Sequence, residues 1–310
     1  MMRNKILGKY FKEITNDDIE LIKGYLSLRQ YEESSQNILN IMEWIELAPL
    51  YEMHNDSAMW IIAEYQNNYY LYLPLCKAEE TMANIAKAKA IFEEANEELY
   101  LISVTKEYME LIAQEFNTAK IAEDRDNFDY VYRLEAMRTF SGKKLQKKRN
   151  HLNQFYVLYG ERYKYETLDE SNKAELRDYV LNSETDEEML DFEKQGIIRV
   201  LDNYERIGCK GCLIRIDGKI EGYLIASPLS SRMIQQNVEK ANHNFRGLSQ
   251  VLIKEFFSRN YLDYELLNRE EDMGLPNLRK SKLSYYPTYL VEKYSVKLWL
   301  DMQNLKKRTN

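Results

Sequence analysis

A loop of mixed charge near the end of the chain carries the residues best suited to acid–base and ion-binding chemistry. The segment NREEDMGLPNLRKSKLSYYP, residues 268–287, has seven charged side chains of both signs between Arg269 and Lys282. Arg269 offers a rigid fork of donors for a carboxylate or phosphate, whereas Glu270 and Asp272 could bind an amine or accept a proton. The loop follows the predicted strand DYELL, and open α/β sheets commonly bind ligands at strand ends. The alternative is a salt-bridge network that only fixes the loop.

A second candidate is a run of basic residues in the stretch SGKKLQKKRNHLNQF. Five of the seven residues from Lys143 to Arg149 are basic, in a chain of formal charge −7. On a helix, Lys144, Lys148 and His151 share one face. One interpretation is a solvated helix face. The other is contact with the phosphates of RNA or of a lipid headgroup, for which the candidate residues are Lys144, Lys147, Lys148, Arg149 and Asn150.

A third candidate is the turn in VEKANHNFRGLSQVLIKEFF, where a predicted strand gives way to a predicted helix at Gly247. Free N–H groups at a helix N-terminus can hold a phosphate or a developing oxyanion, although a single Gly there is often only a compact turn. The architecture resembles the GNAT acyltransferase superfamily, whose loop reads R/Q-x-x-G-x-G/A. Here the matching positions are Asn244, Gly247 and Ser249. Because only the central Gly matches, binding of coenzyme A is the less favoured prediction.

The three cysteines, Cys76, Cys209 and Cys212, do not suggest a disulfide framework. Cys209 and Cys212 form a C-x-x-C, but the sequence has no second pair and none of its three histidines stands at ligand spacing to another. The pair is also predicted to lead into a strand rather than to open a helix, as a redox pair normally does. We therefore predict a tight turn before a strand, with no metal and no cofactor.

The elements that position these residues alternate between helix and strand. TNDDIELIKGYLSLRQ starts with Thr15 and Asp18 at capping-box spacing, and SSQNILNIMEWIEL can be capped by Ser34 or Ser35. Hairpins are predicted around Asn67-Asn68 and, more strongly, around Asp217-Gly218. The pattern predicts an α/β protein with two tandem GNAT-like domains, each a mixed, mostly antiparallel sheet flanked by helices. The predicted domains are residues 1–140 and 141–310, with a junction helix at about 142–160.

Composition narrows the class of protein. The chain has 310 residues, 45% of them hydrophobic, which is enough for real cores. No run of about 18 apolar residues and no signal-peptide pattern is found, so the sequence predicts a cytoplasmic protein for which peripheral membrane contact is the closest approach to a bilayer. The negative net charge disfavours an indiscriminate nucleic-acid binder, although a local basic patch could still bind one.

Four blocks together resemble the phosphatidylglycerol lysyltransferase C-terminal family, which has two fused GNAT-type domains. They are DRDNFDYVYRLE, GKKLQKKRNHLNQF, VEKANHNFRGLSQ and NREEDMGLPNLRKSKLSYYPTYLVEKY, in the family's order. The resemblance implies transfer of an amino acid, such as lysine, from aminoacyl-tRNA to a lipid headgroup or another small acceptor. The departures from the family pattern, which bear on whether activity is retained, are Asn237, Ser249 and Tyr286.

The resemblance also implies roles for individual residues. The catalytic candidates are Asn268, Glu270 and Asp272, with Glu270 and Asp272 binding the α-amine or acting as base. The substrate-binding candidates are Arg269, Lys280, Lys282, Tyr285, Glu239, Lys240, Asn242, Gly247 and Leu248. Within that set, Arg269, Lys280 and Lys282 would bind a phosphate or carboxylate, and the amides of Gly247 and Leu248 would face the oxyanion. The basic residues of the stretch from Lys144 to Arg149 would contact the tRNA backbone.

Two alternatives remain open from the sequence. The first is an N-acyltransferase that uses acyl-coenzyme A. The second is a non-catalytic protein that keeps the fold to bind a small ligand, in which the charged loop would be sealed by its own salt bridges.

Overall fold

Two β-sheets divide the strands of this chain, and helices cover both faces of each sheet. The computed structural model describes residues 6–66, 68–183 and 188–299. The strands are β1 (Lys12–Glu13), β2 (Leu50–His54), β3 (Ala58–Tyr65), β4 (Asn68–Leu71), β5 (Leu75–Cys76), β6 (Leu99–Thr105), β7 (Thr118–Glu123), β8 (Asp129–Arg133), β9 (Tyr163–Thr167), β10 (Lys210–Ile216), β11 (Lys219–Pro228), β12 (Met233–Ala241), β13 (Leu266–Asn268), β14 (Tyr289–Val291) and β15 (Lys293–Leu298). The helices are α1 (Ile19–Leu26), α2 (Ile38–Trp44), α3 (Thr81–Ala95), α4 (Lys106–Glu115), α5 (Leu134–Thr139), α6 (Gln146–Tyr159), α7 (Lys173–Asn182), α8 (Glu188–Asp202), α9 (Tyr204–Ile207), α10 (Leu248–Phe257) and α11 (Pro276–Leu283).

The sheets do not follow chain order. The first sheet has the order β1-β2-β3-β4-β6-β15-β7, with β5 paired to β3, and the second has the order β14-β8-β13-β12-β11-β10-β9. Strand β8 therefore belongs to the second sheet, while β15 returns to the first. The boundary between the two sheets therefore does not coincide with the predicted domain boundary at residue 140, because one strand from each side of that boundary lies in the other sheet.

Pairing within both sheets is mixed and mostly antiparallel. Among the named strands, β4–β6 and β12–β13 pair in parallel, and the remaining pairs are antiparallel. The predicted fold class, two mixed sheets flanked by helices, is confirmed. None of the helices in the described ranges combines the length and apolar character needed to cross a bilayer.

Three hydrophobic cores hold the layers together. One lies beneath α3 and α4 on the first sheet, and another packs α5, α6 and α10 on the outer face of the second sheet. The third is central: it joins α1 and α2 with α7, α8 and α9 between the two sheets. Gly196 of α8 lets the backbones meet there, since a Cβ atom at this position would lie 2.0 Å from the carbonyl oxygen of Glu43 in α2. The predicted junction helix, α6, packs against α10 within the second half of the chain. The two halves are instead linked by the core that lies between the two sheets.

Local sequence signals explain several element boundaries. The capping box of Thr15 and Asp18 forms as predicted, and Asp217 and Gly218 both adopt the left-handed backbone that a tight hairpin between β10 and β11 requires. Strands β3 and β4 also form the predicted hairpin, although Asn67 of its turn lies outside the described residues. The predicted cap of α2 was wrong: the Asn37 side chain accepts hydrogen bonds from the amides of Leu39 and Asn40.

Candidate functional site

A buried arginine at the end of β13 is the centre of the candidate site. The Nη2 atom of Arg269 donates to Oε2 of Glu239 at 2.6 Å, and the side chain is only 10% exposed. Its guanidinium lies 4.7 Å from the ring centroid of Tyr285 and 5.8 Å from that of Tyr132. Within the described chain, the Nε and Nη1 atoms of Arg269 have no hydrogen-bond partner. A buried guanidinium with unused donors is suited to bind an anion.

A lysine of the basic helix joins this arginine. The ammonium of Lys148 in α6 lies 3.7 Å from the ring centroid of Tyr285, on the same aromatic side chain that Arg269 contacts. Burial and the nearby positive charge of Arg269 lower the pKa of Lys148 to about 8. The Tyr285 hydroxyl, itself buried, accepts a hydrogen bond of 2.6 Å from Gln250. The structure thus brings Lys148 of the basic stretch together with Arg269 and Tyr285 of the charged loop, which were predicted from two separate motifs.

The carboxylate of Glu239 completes the group, which we call the Arg269 cluster: Arg269, Glu239, Lys148, Tyr285 and Ser249. Ser249 in the first turn of α10 donates to Oε1 of Glu239, and Gln236 donates to Oε2 at 2.6 Å. Ser249, one of the departures from the family pattern, therefore orients the carboxylate that pairs with Arg269.

Glu270, the next residue in the loop, has an environment that favours its protonated form. Its carboxyl accepts hydrogen bonds from Gln235 at 2.7 Å and from Asn237 at 3.4 Å. Burial, together with the negative charge of Glu271, raises the pKa of Glu270 to about 8. The residue also has a left-handed backbone with φ of 58°, a conformation that is uncommon outside glycine and that recurs at functional sites. A carboxyl of this kind can exchange a proton near neutral pH.

Asp272 lies two residues further on and is held very differently. Its fully buried carboxylate accepts hydrogen bonds from Arg279 at 2.7 and 2.8 Å and from the Tyr130 hydroxyl at 2.5 Å, with Arg125 at 3.3 Å. Although burial opposes ionisation, these donors outweigh it and lower the pKa of Asp272 to about 2. We call this set, with Asp126 as the second partner of Arg279, the Asp272 network. Asp272 was predicted to bind the α-amine or to act as a base, and a carboxylate so stabilised does not accept protons at neutral pH.

Two further residues of the loop hold its backbone. Lys282 donates to the carbonyl oxygen of Arg269 at 2.5 Å and to that of Glu271, and burial lowers its pKa. The fully buried Asn268 donates to the carbonyl oxygen of Glu32 at 2.9 Å and accepts the amide of Glu270 at 2.7 Å. Both were predicted to contact substrate or take part in catalysis, and both make the contacts that set the shape of the loop.

The predicted oxyanion turn is closely packed. Gly247 has φ of 94°, and a Cβ atom there would lie 2.4 Å from the carbonyl oxygen of His151 in α6. The amide of Leu248 donates to the carbonyl oxygen of Phe245 at 3.1 Å. The Leu248 amide is therefore already in use, and α6 covers the side of the turn toward which Gly247 would project a side chain.

The other predicted residues are spread around this group. Lys240 pairs with Glu193 at 2.6 Å, and Asn242 donates to Glu221 at 2.7 Å. Arg149 donates to the carbonyl oxygens of Phe140 and Gly142 at 2.6 and 3.2 Å, so it fixes the start of α6. The exposed members of the predicted set are Lys144, Lys147, Asn150 and Lys280. Lys144 lies 5.7 Å from the ring centroid of Tyr286.

A buried cluster behind the loop was missed in the sequence. Lys293 of β15 donates to Asp129 at 2.7 Å and to the Ser34 hydroxyl at 2.8 Å, and it lies 3.6 Å from Glu33 and 3.9 Å from Glu271. Although burial opposes it, the carboxylates raise the pKa of Lys293, so its charge is retained. Strand β15 also contains Ser295 and Lys297, so the composition of the strand gave no signal that Lys293 is buried.

A cavity of about 350 Å³ opens beside this cluster, between the first half of the chain and the loop. Its polar lining residues include Ser34, Lys293, Glu271 and Asp124, and Met273 of the loop also lines it. Both sides of the loop thus face places where a ligand can bind: Arg269 faces α6 and β12, whereas Glu271 and Met273 line the cavity.

The cysteines do not form a metal or redox site. Cys209 belongs to the central core and Cys212 to the core on the other face of the second sheet, so their side chains point to opposite faces. Burial raises the pKa of Cys209 to about 12. Across the described ranges, no group of three or more His, Cys, Asp or Glu side chains is arranged to hold a metal ion.

Comparison with known proteins relates this arrangement to one family. The sequence model described as "Phosphatidylglycerol lysyltransferase, C-terminal" matches residues 29–297, which confirms the predicted resemblance. An uncharacterised protein of Mycoplasmoides gallisepticum is 27% identical over 203 residues, which span 64% of this chain and 65% of that protein.

Solved structures agree with this match. A protein of unknown function from Bacteroides thetaiotaomicron is 27% identical with a TM-score of 0.84, covering 93% of this chain and 99% of that one. The structure of L-PGS from Bacillus licheniformis has a TM-score of 0.64 at 13% identity, covering 91% of this chain and 92% of that one. At that identity the second likeness shows a shared fold.

Proposed function

Because the chain belongs to the phosphatidylglycerol lysyltransferase C-terminal family, for which an aminoacyltransferase-like function is supported, we propose that it transfers an aminoacyl group from tRNA to a small acceptor such as a lipid headgroup. One observation carries the proposal: neighbouring residues of one loop present a buried guanidinium with unused donors at Arg269 and a carboxyl that titrates near neutral pH at Glu270. The first can hold a phosphate and the second can accept a proton.

The chemistry required is modest, since an aminoacyl ester is already activated. The acceptor hydroxyl oxygen attacks the ester carbonyl carbon, and its proton passes to the carboxylate of Glu270. The carbon–oxygen bond to the tRNA 3′ ribose then breaks, and that ribose oxygen takes a proton back. Arg269 and Lys148 would bind a phosphate of the tRNA end or of the acceptor, which fixes the two reactants in one geometry.

The packing at Gly247 favours this reaction over transfer from acyl-coenzyme A. In the GNAT superfamily the pyrophosphate of coenzyme A would be held at this turn, but here α6 backbone lies against Gly247 and the Leu248 amide bonds to Phe245. The residual anion-binding capacity lies instead at Arg269 and Lys148, on the loop and on α6.

The proposal is tested by incubating the purified chain with tRNA charged with radiolabelled amino acids, together with vesicles that contain phosphatidylglycerol or with water-soluble glycerol phosphates. Expected is acceptor-dependent transfer of label from tRNA into the lipid or small-molecule fraction. A parallel reaction with acetyl-coenzyme A and a panel of amines examines the alternative donor. Binding of tRNA without transfer to any acceptor would favour the alternative of a non-catalytic ligand-binding protein. Transfer from acetyl-coenzyme A would contradict the proposal.

A further inference from the structure

The outer side of α11 and its flanking turns exposes a group of apolar side chains. Leu275, immediately before the helix, is 53% exposed, Leu283 at its last position is 45% exposed, and Tyr286 in the turn that follows is 52% exposed. Positions eight apart on a helix lie on about the same side, so the two leucines project in a similar direction. Single exposed hydrophobic residues are normal, whereas a group of them on one side of one element indicates an interaction surface.

Two lysines flank these apolar side chains. Lys280 lies three positions before Leu283 and therefore on the same face of α11. The ammonium of Lys144, just before α6, lies 5.7 Å from the ring centroid of Tyr286. Within the part of the chain that the structure describes, neither ammonium has an acidic partner. Both positive charges are therefore available to a partner, although the chain has a formal charge of −7.

The inner side of α11 fixes the helix to the rest of the protein. Arg279 pairs with Asp272 at 2.7 Å and with Asp126 at 2.6 Å. The buried Lys282 donates to the carbonyl oxygen of Arg269 at 2.5 Å. Because its inward-facing basic residues are held in this way, α11 presents its outer side in one orientation.

The turn after α11 directs two adjacent tyrosines in opposite directions. Tyr285 is buried and accepts a hydrogen bond from Gln250 at 2.6 Å, whereas Tyr286 has φ of 56° and is exposed. A left-handed backbone is unfavourable for a bulky side chain and recurs at functional sites. Here the turn places an exposed phenol ring beside Lys144. A tyrosine side chain, with an apolar ring and a polar end, is suited to the boundary between water and lipid.

We propose that this surface docks the protein on an anionic lipid bilayer. We call it the α11 surface, and its members are Leu275, Leu283, Tyr286, Lys144 and Lys280. The apolar side chains enter the interface, and the two lysines lie at the level of the anionic headgroups. Because an anionic membrane repels the negative charge that predominates in the chain, a local basic and apolar surface also sets the orientation of docking. An RNA would use the lysines but would leave the two leucines in water.

This inference goes beyond the proposed function, because docking requires no transfer. It rests on that function in one respect: Arg269 and Glu270 belong to the same loop, so docking would bring lipid headgroups toward the residues proposed for the reaction. Met273, between those residues and α11, is 44% exposed and also lines the cavity beside the loop.

Docking is measured by sedimentation of the full chain with vesicles of phosphatidylcholine alone or mixed with phosphatidylglycerol. The wild type is expected to bind the mixed vesicles at least about tenfold more tightly. Leu275→Ser combined with Leu283→Ser should weaken this binding at least about tenfold. Lys144→Gln and Lys280→Gln should each weaken it about fivefold.

A matched pair of exposed leucines outside the α11 surface provides the control. Leu181 in α7 is 42% exposed and Leu262, between α10 and β13, is 60% exposed. Leu181→Ser combined with Leu262→Ser should bind the mixed vesicles like the wild type. Failure of the wild type to bind the mixed vesicles, or an equal loss in the control variant, would overturn the inference.

A fluorescent label tests whether the apolar side chains enter the interface. The native cysteines are all buried, so an environment-sensitive dye can be attached selectively to Leu283→Cys. Its emission is expected to shift to shorter wavelength when mixed vesicles are added, and the emission of labelled Leu181→Cys should stay unchanged. Vesicle binding without a shift at position 283 would mean adsorption by charge alone and would contradict the proposed docking.

The remaining outcomes separate this inference from other partners and from the proposed function. Binding of tRNA but not of vesicles, if it depends on Lys144 and Lys280, would assign the surface to RNA and overturn docking. Transfer to soluble glycerol phosphates without vesicle binding would retain the enzyme and overturn the α11 surface. Vesicle binding that depends on Leu275 and Leu283, with no transfer from any charged tRNA, would support the α11 surface and contradict the proposed function.

Discussion

The Asp272 network and the Arg269 cluster come from the same charged loop, yet they use their charges in opposite ways. Asp272 has donors from Arg279, Tyr130 and Arg125 within 3.3 Å, so its carboxylate is saturated. Arg269 has one carboxylate partner and leaves Nε and Nη1 unused among the described residues. Charge density alone therefore does not separate structural residues from functional ones. The distinguishing property is the hydrogen-bonding capacity that remains after the protein's own contacts are made.

The same contrast applies to proton affinity. Glu270 and Asp272 are carboxylic acids separated by one residue, and their pKa values move in opposite directions, to about 8 and to about 2. Glu270 is buried near another carboxylate, whereas Asp272 is surrounded by cationic and hydroxyl donors. Pairs of titratable groups whose environments separate their pKa values are typical of sites that perform acid–base chemistry.

The largest expected effect comes from removing the titrating member of this pair. Glu270→Gln keeps the size of the side chain but cannot accept a proton, so the aminoacyl transfer rate should fall by about 10²–10⁴-fold. In the wild type, kcat/KM should rise with pH and level off above about pH 8, because the base acts only when ionised. Values of kcat/KM measured between about pH 6 and 9 should show this rise in the wild type and not in Glu270→Gln.

Stability provides the control for the Glu270 variant. A buried acid with a raised pKa lowers folding stability as pH increases from its unfolded value toward 8, so Glu270→Gln should be at least as stable as the wild type at pH 8. Glu265→Gln, at a 54% exposed carboxylate that pairs with Arg232, should leave both rate and stability unchanged. A Glu270→Gln protein that retains transfer at the wild-type rate would remove Glu270 from the mechanism.

Replacing the saturated carboxylate should affect stability rather than proton transfer. The folded pKa of Asp272 is depressed from 3.8 to about 2, so its contribution is complete above the unfolded pKa and is lost as pH falls through about 4 toward 2. Asp272→Asn should therefore lower the free energy of unfolding by about 2 kcal/mol at pH 7 and by progressively less below pH 4. Urea unfolding at pH 7 and at pH 3 measures both values.

Asp126→Asn is the matched control, because Asp126 contacts the same Arg279 but is 61% exposed. Exposed ion pairs contribute little, so this change should cost less than about 1 kcal/mol. If the two substitutions destabilise the protein equally, the difference in burial is not what distinguishes the two aspartates.

Much of the fold could be predicted from the sequence, because it depends on local patterns. The hairpin at Asp217-Gly218 and the helix that starts after Gly247 follow from turn chemistry and apolar periodicity. The exchange of β8 and β15 between the two sheets could not be predicted from the sequence, because the pairing of strands far apart in the chain is decided by tertiary packing. The cap of α2 shows the same limit: Ser34, a good capping residue by type, bonds to Asp129 instead.

The candidate site was predicted unevenly for related reasons. Arg269, Glu239, Lys148 and Tyr285 were named from motifs, because each lies in a segment with an unusual composition. Ser34 and Lys293 were missed, since they are 259 positions apart and meet only through folding. Nor could the sequence separate Glu270 from Asp272, because the sign of a pKa shift depends on buried neighbours contributed by other elements.

The smallest expected effect is a difference in tRNA affinity between substitutions of two adjacent lysines of α6. Lys148 is half-buried beside Arg269 and Tyr285, whereas Lys147 is exposed. Lys148→Gln should weaken tRNA binding by about 5–10-fold at low salt, and Lys147→Gln by about twofold, since exposed charges are screened. Filter binding with uncharged tRNA measures both.

The pH dependence of binding makes the comparison sharper. Because the pKa of Lys148 is about 8, wild-type affinity for tRNA should decline as pH rises from 7 to 9, when this ammonium loses its proton. Glu270 also ionises near pH 8, so Lys148→Gln should reduce the decline, Lys148→Gln combined with Glu270→Gln should abolish it, and Lys147→Gln should retain it in full. If the decline is unchanged in Lys148→Gln, or if Lys148→Gln and Lys147→Gln lose affinity equally, tRNA contacts the exposed face of α6 and not the Arg269 cluster.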